Sequence, residues 1–231
     1  MQSRIKEAIV LALAIVGLGA FIYNAAIDTK DKERTVTVRG LSERIVPADY
    51  AIFPIVFTNT SNDLTSLYES VQTNTDTVKD FLLKSGFSEK EISISAPVIE
   101  DVYGNGYSTL KARYRSTSVI TVATENADKA REIMNRQGEL IKKGVAVTAS
   151  NWQYPVSFRF TKLNDVKPEM IEEATKNARA SAIKFAEDSQ SKLGKIKKAS
   201  QGIFSIENRD ESTPFIKTIR VVTNVEYYLE D

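Results

Sequence analysis

The hydrophobic pattern changes period repeatedly along the chain, and each change marks an element. Ala8 to Tyr23 (AIVLALAIVGLGAFIY) carries no charge, with Arg4 and Lys6 before it and the charged tract Asp28 to Arg34 after it. Its apolar residues fall all round a helix rather than on one stripe, the pattern of a segment bathed in lipid. Ile9, Leu11, Leu13, Ile15, Val16, Leu18, Phe21 and Ile22 are the side chains that would anchor it. The pattern predicts a signal anchor or transmembrane helix over 1–27, a charged linker over 28–34 and an α+β domain over 35–231. A signal peptide cleaved near Gly17-Leu18-Gly19 is the alternative. Positive charge ahead of the run puts the N-terminus in the cytoplasm and the remainder outside.

Beyond the linker, Thr35 to Leu41 alternates, and Ala48 to Asn59 is apolar on both faces, which predicts two strands joined through Pro47. Pro54 implies an edge or a bulge in the second. Asp63 to Lys84 has helical spacing of Leu64, Leu67, Tyr68, Val71, Val78, Phe81 and Leu82, and Gly86 follows as a stop. Glu91 to Val102 and Leu110 to Thr124 alternate around a Tyr-Gly-Asn-Gly loop and predict a hairpin. In the return strand Tyr114, Ile120 and Val122 share one face, and Lys111, Arg113 and Arg115 the other. A second helix is expected over 126–143 with Ile141 on its apolar stripe and Gly144 as its C′ residue. Val145 to Phe160 is extended but interrupted at Pro155. A long helix is expected from Pro168 to Leu193, closed by Gly194, with Ala174, Ala178, Ala182 and Ala186 as a close-packing ladder. Ile183 and Phe185 are expected to add apolar volume to it. Two strands, 195–207 and 215–229, complete the order ββαββαβαββ, and one face of the last carries Phe215, Ile219, Val221, Val225 and Tyr227. Helices set between strand pairs point to α+β, mostly antiparallel sheets with helices packed on them.

Composition narrows the chemistry. The 231 residues include neither Cys nor His, which removes thiolate nucleophiles, Ser-His-Asp triads and Cys or His metal ligands. Lys and Arg number 31 against 30 Asp and Glu, so bulk charge makes no case for a nucleic-acid partner. No motif points to a cofactor, a metal or a catalytic site. Asp49 reads as a turn or edge residue, and Glu100 and Asp101, as strand neighbours, face opposite ways. The row Lys111, Arg113, Arg115 reads as an edge-protecting charge row or an interface. Trp152 and Tyr154 read as interface anchors.

The segment VTVRGLSERIVPADYAIF, with Val38, Gly40, Val46, Pro47, Asp49 and Ala51, resembles the start of the SIMPL-domain family, which includes the YggE-like periplasmic proteins. Gly86 to Ile92, Tyr114 to Val119 and Lys192 to Ile196 are similar to later family segments in order and spacing. The resemblance implies an exported α+β domain of the bacterial envelope, in some members oligomeric and linked loosely to stress tolerance. It brings no agreed enzymatic site. Taken together, these readings lead us to expect a non-enzymatic protein of the inner membrane, single-pass, with its C-terminal domain in the periplasm. It would act by homo-oligomeric assembly or by binding an unknown envelope partner. A module binding envelope glycans or small molecules is the alternative, and a carboxylate-dependent hydrolase a further one.

Overall fold

The computed structural model describes residues 12, 14–23, 34–103, 112–148 and 153–230. A helix α1 (residues 14–23) comes first. It is followed by β1 (Thr35–Pro47), β2 (Tyr50–Ser61), α2 (Leu64–Lys84), β3 (Ile92–Ile94), β4 (Val98–Asp101) and β5 (Tyr114–Thr124). Then come α3 (Ala127–Asn135), α4 (Gly138–Lys142), β6 (Val147–Thr148), β7 (Ser157–Arg159), α5 (Leu163–Asp188), β8 (Lys192–Gln201), β9 (Ser205–Asn208) and β10 (Ile216–Glu230). The class is α+β with antiparallel pairing, as expected. The chain divides into two compact units. One comprises the described parts of Met1–Glu43, Val166–Ser205 and Arg220–Asp231, the other Arg44–Asp165 and Ile206–Ile219.

The second unit holds a sheet in the order β3-β5-β2-β6, with β4 also on β5 and β7 also on β2. Alternate residues of β2 (Ala51, Phe53, Ile55, Phe57) and of β5 (Ile120, Val122) form its buried face, joined by Val78, Phe81 and Leu82 of α2 and Ile133 of α3. The α2 helix begins where Asp63 accepts the Ser66 amide at 2.8 Å, and it ends at Gly86, whose φ of +86° suits glycine. Pro54 lies neither on an edge strand nor at a bulge, because β2 is central and its register with β5 runs unbroken from Ala51 to Ser61. The Thr58 amide and the Val56 carbonyl both bond toward β6, so the amide position of Pro54 points to that side as well. There β7 pairs only Tyr50–Ile52 and β6 only Val56–Phe57, and the proline falls in the gap between them. The expected break at Pro155 separates β6 from β7. In place of one helix over 126–143 there are two, α3 and α4, parted at Arg136 and Gln137 just ahead of Gly138, a weak helix residue. Ile141 is 60% exposed and lies off the apolar stripe.

The other unit is built by α5 on strands β1 and β10, with β8 beyond β10. Ala174, Ala178, Ala182 and Ala186 are all buried, together with Met170. Of these, Ala178 and Ala182 pack with Val38, Val225 and Tyr227 in a small core. Close approach is possible because Gly40 has no side chain: a Cβ there would overlap the Ala174 carbonyl and the Ala178 amide. Ser42 donates to Glu173 at 2.9 Å and the Asn177 amide to the Leu41 carbonyl at 2.8 Å, pinning the helix along the strand.

The position of α5 differs from the sequence expectation at both ends. It starts at Leu163, leaving Pro168 inside the helix, where its missing N–H forfeits the bond to Asn164. It ends at Asp188, and Gln190, not glycine, takes the left-handed position with φ +56°. The Ser191 amide bonds the Ala186 carbonyl at 2.8 Å and the Gln190 amide that of Glu187 at 3.0 Å, a Schellman closure. Leu193 and Gly194 therefore belong to β8, where a Cβ on Gly194 would crowd the Tyr228 carbonyl. Ile183 and Phe185 are 40% and 59% exposed, so they add little to the helix's buried volume.

Candidate functional site

The described candidate residues of the sequence lie on separate elements. Ile9, Leu11, Leu13, Lys111 and Trp152 lie outside the described residues. Ile15, Val16, Leu18, Phe21 and Ile22 are on α1, each between 59% and 73% exposed. Among the described residues no helix is long and apolar enough to cross a membrane. Tyr154 is half-buried in the bend before β7.

The two described arginines of the basic row are set against carboxylates of β4. Arg113 is not in the strand but in the bend before it, donating Nε and Nη2 to Asp101 Oδ2 at 3.0 and 2.9 Å. Its amide donates to Asn62 Oδ1 at 2.9 Å and its guanidinium lies 5.0 Å from the Tyr114 ring centre. The hydrogen bond and charge of Asp101 hold the guanidinium pKa above its usual value. Arg115 stands directly across from Glu100 in the β4–β5 register. Asp101 thus braces the neck of the hairpin.

Asp49 is also structural in its contacts. Its carboxylate accepts the amides of Thr161 at 2.7 Å and Lys162 at 3.1 Å, and the Thr161 hydroxyl at 3.1 Å. These groups belong to the two residues just ahead of α5, so Asp49 ties the turn between β1 and β2 to the segment that leads into the helix.

Among the described residues of the Arg44–Asp165, Ile206–Ile219 unit, two depressions stand out. The larger, about 440 Å³, is lined by Tyr50, Glu91, Ala123, Thr124, Glu125 and Asn126. It holds two carboxylates, yet Glu91 closes a capping box with the Ser88 amide and hydroxyl, both at 2.8 Å. A hydrogen bond from Thr124 comes first, then those from Ser88, in holding the Glu91 carboxyl below its usual value. A general acid needs the opposite shift. The smaller depression, about 260 Å³, lies between α3 and the β9–β10 loop, and Arg131, Met134, Phe158 and Phe215 are among its walls. Among the described residues no group of three acidic side chains is placed to hold a metal ion.

Two features escaped the sequence pattern. The β8 strand is an outer strand of the sheet β1-β10-β8, and from Lys195 to Gln201 every residue is exposed. Lys217 is only 7% exposed, on the same strand face as Ile219 and Val221. The period-two spacing of Phe215, Lys217 and Ile219 was the available signal for it. Its ammonium donates to Asn208 Oδ1 on the neighbouring strand, and burial lowers its pKa.

No curated protein matches the chain. A family model does: SIMPL, described as "Protein of unknown function (DUF541)", over residues 36–227. That span covers both sheets, the alanine-faced α5 and the β1 segment with Gly40 and Asp49, and the chain belongs to the SIMPL family.

Proposed function

We propose that this protein is a membrane-tethered, non-enzymatic component of the bacterial envelope that works by assembling with copies of itself or by binding an envelope partner. The observation that carries the reading is β8. It is ten residues long, its outer edge pairs with no strand among the described residues, and its Lys195–Gln201 stretch is exposed on both faces. An edge of this length is a template for strand addition. Ile196 is 50% exposed within it and Ile203, just beyond, is 95% exposed, so apolar contacts are on offer beside the backbone groups. Four lysines at 192, 195, 197 and 198 restrain indiscriminate pairing and favour a partner of matched charge. The apolar run over Ala8 to Tyr23, flanked by Arg4 and Lys6, supports the tether and a periplasmic position for the rest.

Multi-angle light scattering on the full chain in detergent micelles tests this. A fixed multimer that Ile196→Asp with Ile203→Asp reduces toward monomer is the expected result. A monomer at every concentration removes self-assembly, and the same double substitution then serves to test binding of an envelope partner.

A further inference from the structure

The cleft between α3 and the β9–β10 loop plays no part in that reading, yet it is built like a ligand site. Its floor is apolar: Phe158 and Phe215 meet edge-to-face with ring centres 6.1 Å apart, and Met134 adds a polarizable thioether beside them. Arg131 brings a positive charge to this floor. Its guanidinium lies 3.5 Å from the Phe215 ring centre, so one face of the cation is stacked and its in-plane N–H edge is kept for hydrogen bonding.

Among the described residues the ion pair of that guanidinium is with Asp128, one turn back on α3, at 3.4 Å, and the Asp128 side chain is 87% exposed. A pair so long and so wet contributes less than about 1 kcal/mol, and a carboxylate held in the cleft displaces it readily. Asn135, one turn further along α3, and Ser212 on the facing loop add polar groups to the walls. The loop is braced in advance, because Asp210 accepts the Thr213 amide at 2.7 Å and Arg209 Nε at 2.9 Å. The Phe215 backbone is held as well, its carbonyl accepting the Ala48 amide at 2.8 Å.

We propose that this cleft binds a small monocarboxylate with a flat apolar body, its carboxylate on Arg131 and its ring against Phe158, Phe215 and Met134. The volume, about 260 Å³, admits one molecule of roughly a dozen non-hydrogen atoms at interior packing density. Among the described residues a single cation lines the walls, which matches one negative charge and not a phosphate dianion.

The sequence provides the probe, since Met134 is one of three methionines, with Met1 and Met170. The full chain, labelled with 13C at its methionine methyls, is titrated in detergent with phenylacetate, phenylacetamide and acetate. Met134→Leu assigns the signal. The Met134 methyl is expected to move saturably with phenylacetate, while Met170, fully buried on α5, stays in place. Phenylacetamide and acetate bind at least about tenfold more weakly, and Arg131→Gln costs phenylacetate about tenfold. Asn135→Asp, which adds a like charge at the rim without touching the floor, weakens phenylacetate and spares phenylacetamide. The proposal is overturned by a still Met134 signal, by equal binding of acid and amide, or by an affinity for phenylacetate that neither Arg131→Gln nor Asn135→Asp lowers.

Discussion

The carboxylate of Asp49, at the turn between β1 and β2, receives the Thr161 amide at 2.7 Å across 112 residues of sequence. The two residues that lead into α5 at Leu163 are thereby tied to a turn remote in sequence. Asp49→Ala is expected to cost about 1–3 kcal/mol, because the Thr161 and Lys162 amides lose a charged acceptor, and Asp49→Asn less. Urea unfolding followed by circular dichroism measures both, and an unchanged midpoint for the alanine variant would sink the bracing role.

Gly40 is where α5 lies closest to β1. Because the atoms a new methyl meets are backbone atoms of Ala174 and Ala178, no rotamer change relieves the overlap. Gly40→Ala is expected to destabilise by about 3 kcal/mol or more, whereas the same change at Gly138, which has open space around it, is expected to be neutral or slightly stabilising. Thermal unfolding of the two variants side by side checks the contrast.

Gln190 occupies a left-handed conformation at the C′ position of α5. A side chain there costs about 1 kcal/mol that glycine avoids. Gln190→Gly is expected to raise the unfolding midpoint in denaturant, with an unchanged slope; a lowered midpoint would contradict the assignment of strain.

Lys217 sets a pH dependence whose sign follows from burial. Its folded pKa lies below the ordinary 10.5, so as pH rises the folded chain releases this proton before the unfolded chain does. The unfolded state then binds more protons, and the Lys217 contribution to stability climbs with pH between the lowered value and 10.5. Lys217→Met is expected to remove that rise and to stabilise at neutral pH by about 1 kcal/mol. Unfolding free energies at stepped alkaline pH, for wild type and variant, should converge as pH approaches the unfolded value.

Ser118 on β5 is 3% exposed and its hydroxyl has no hydrogen-bond partner among the described residues. Ser118→Ala is expected to hold or raise stability by up to about 1 kcal/mol, since it removes a desolvated polar group without opening a large cavity. A loss beyond about 1 kcal/mol in chemical denaturation would show that the hydroxyl is satisfied in solution.

What was legible in the chain was whatever depends on neighbours a few residues apart. The α2 helix with its Gly86 stop, the Gly144 stop, the buried alanine ladder and the inward face of β10 all follow from periods of 3.6 and 2 and from local backbone preference. Their order and spacing also carried the family. Illegible were the features that depend on partners remote in sequence. Pro54 is tolerated in a central strand because two short strands leave a gap beside it, and the segment leading into α5 is held by Asp49 from 112 residues away. Arg113 joins Asp101 and Arg131 joins Phe215 only once hairpin and helix are folded. Periodicity records which face a residue takes, and the chain by itself settled that much; which surface that face meets is decided by packing between segments that the sequence does not place side by side.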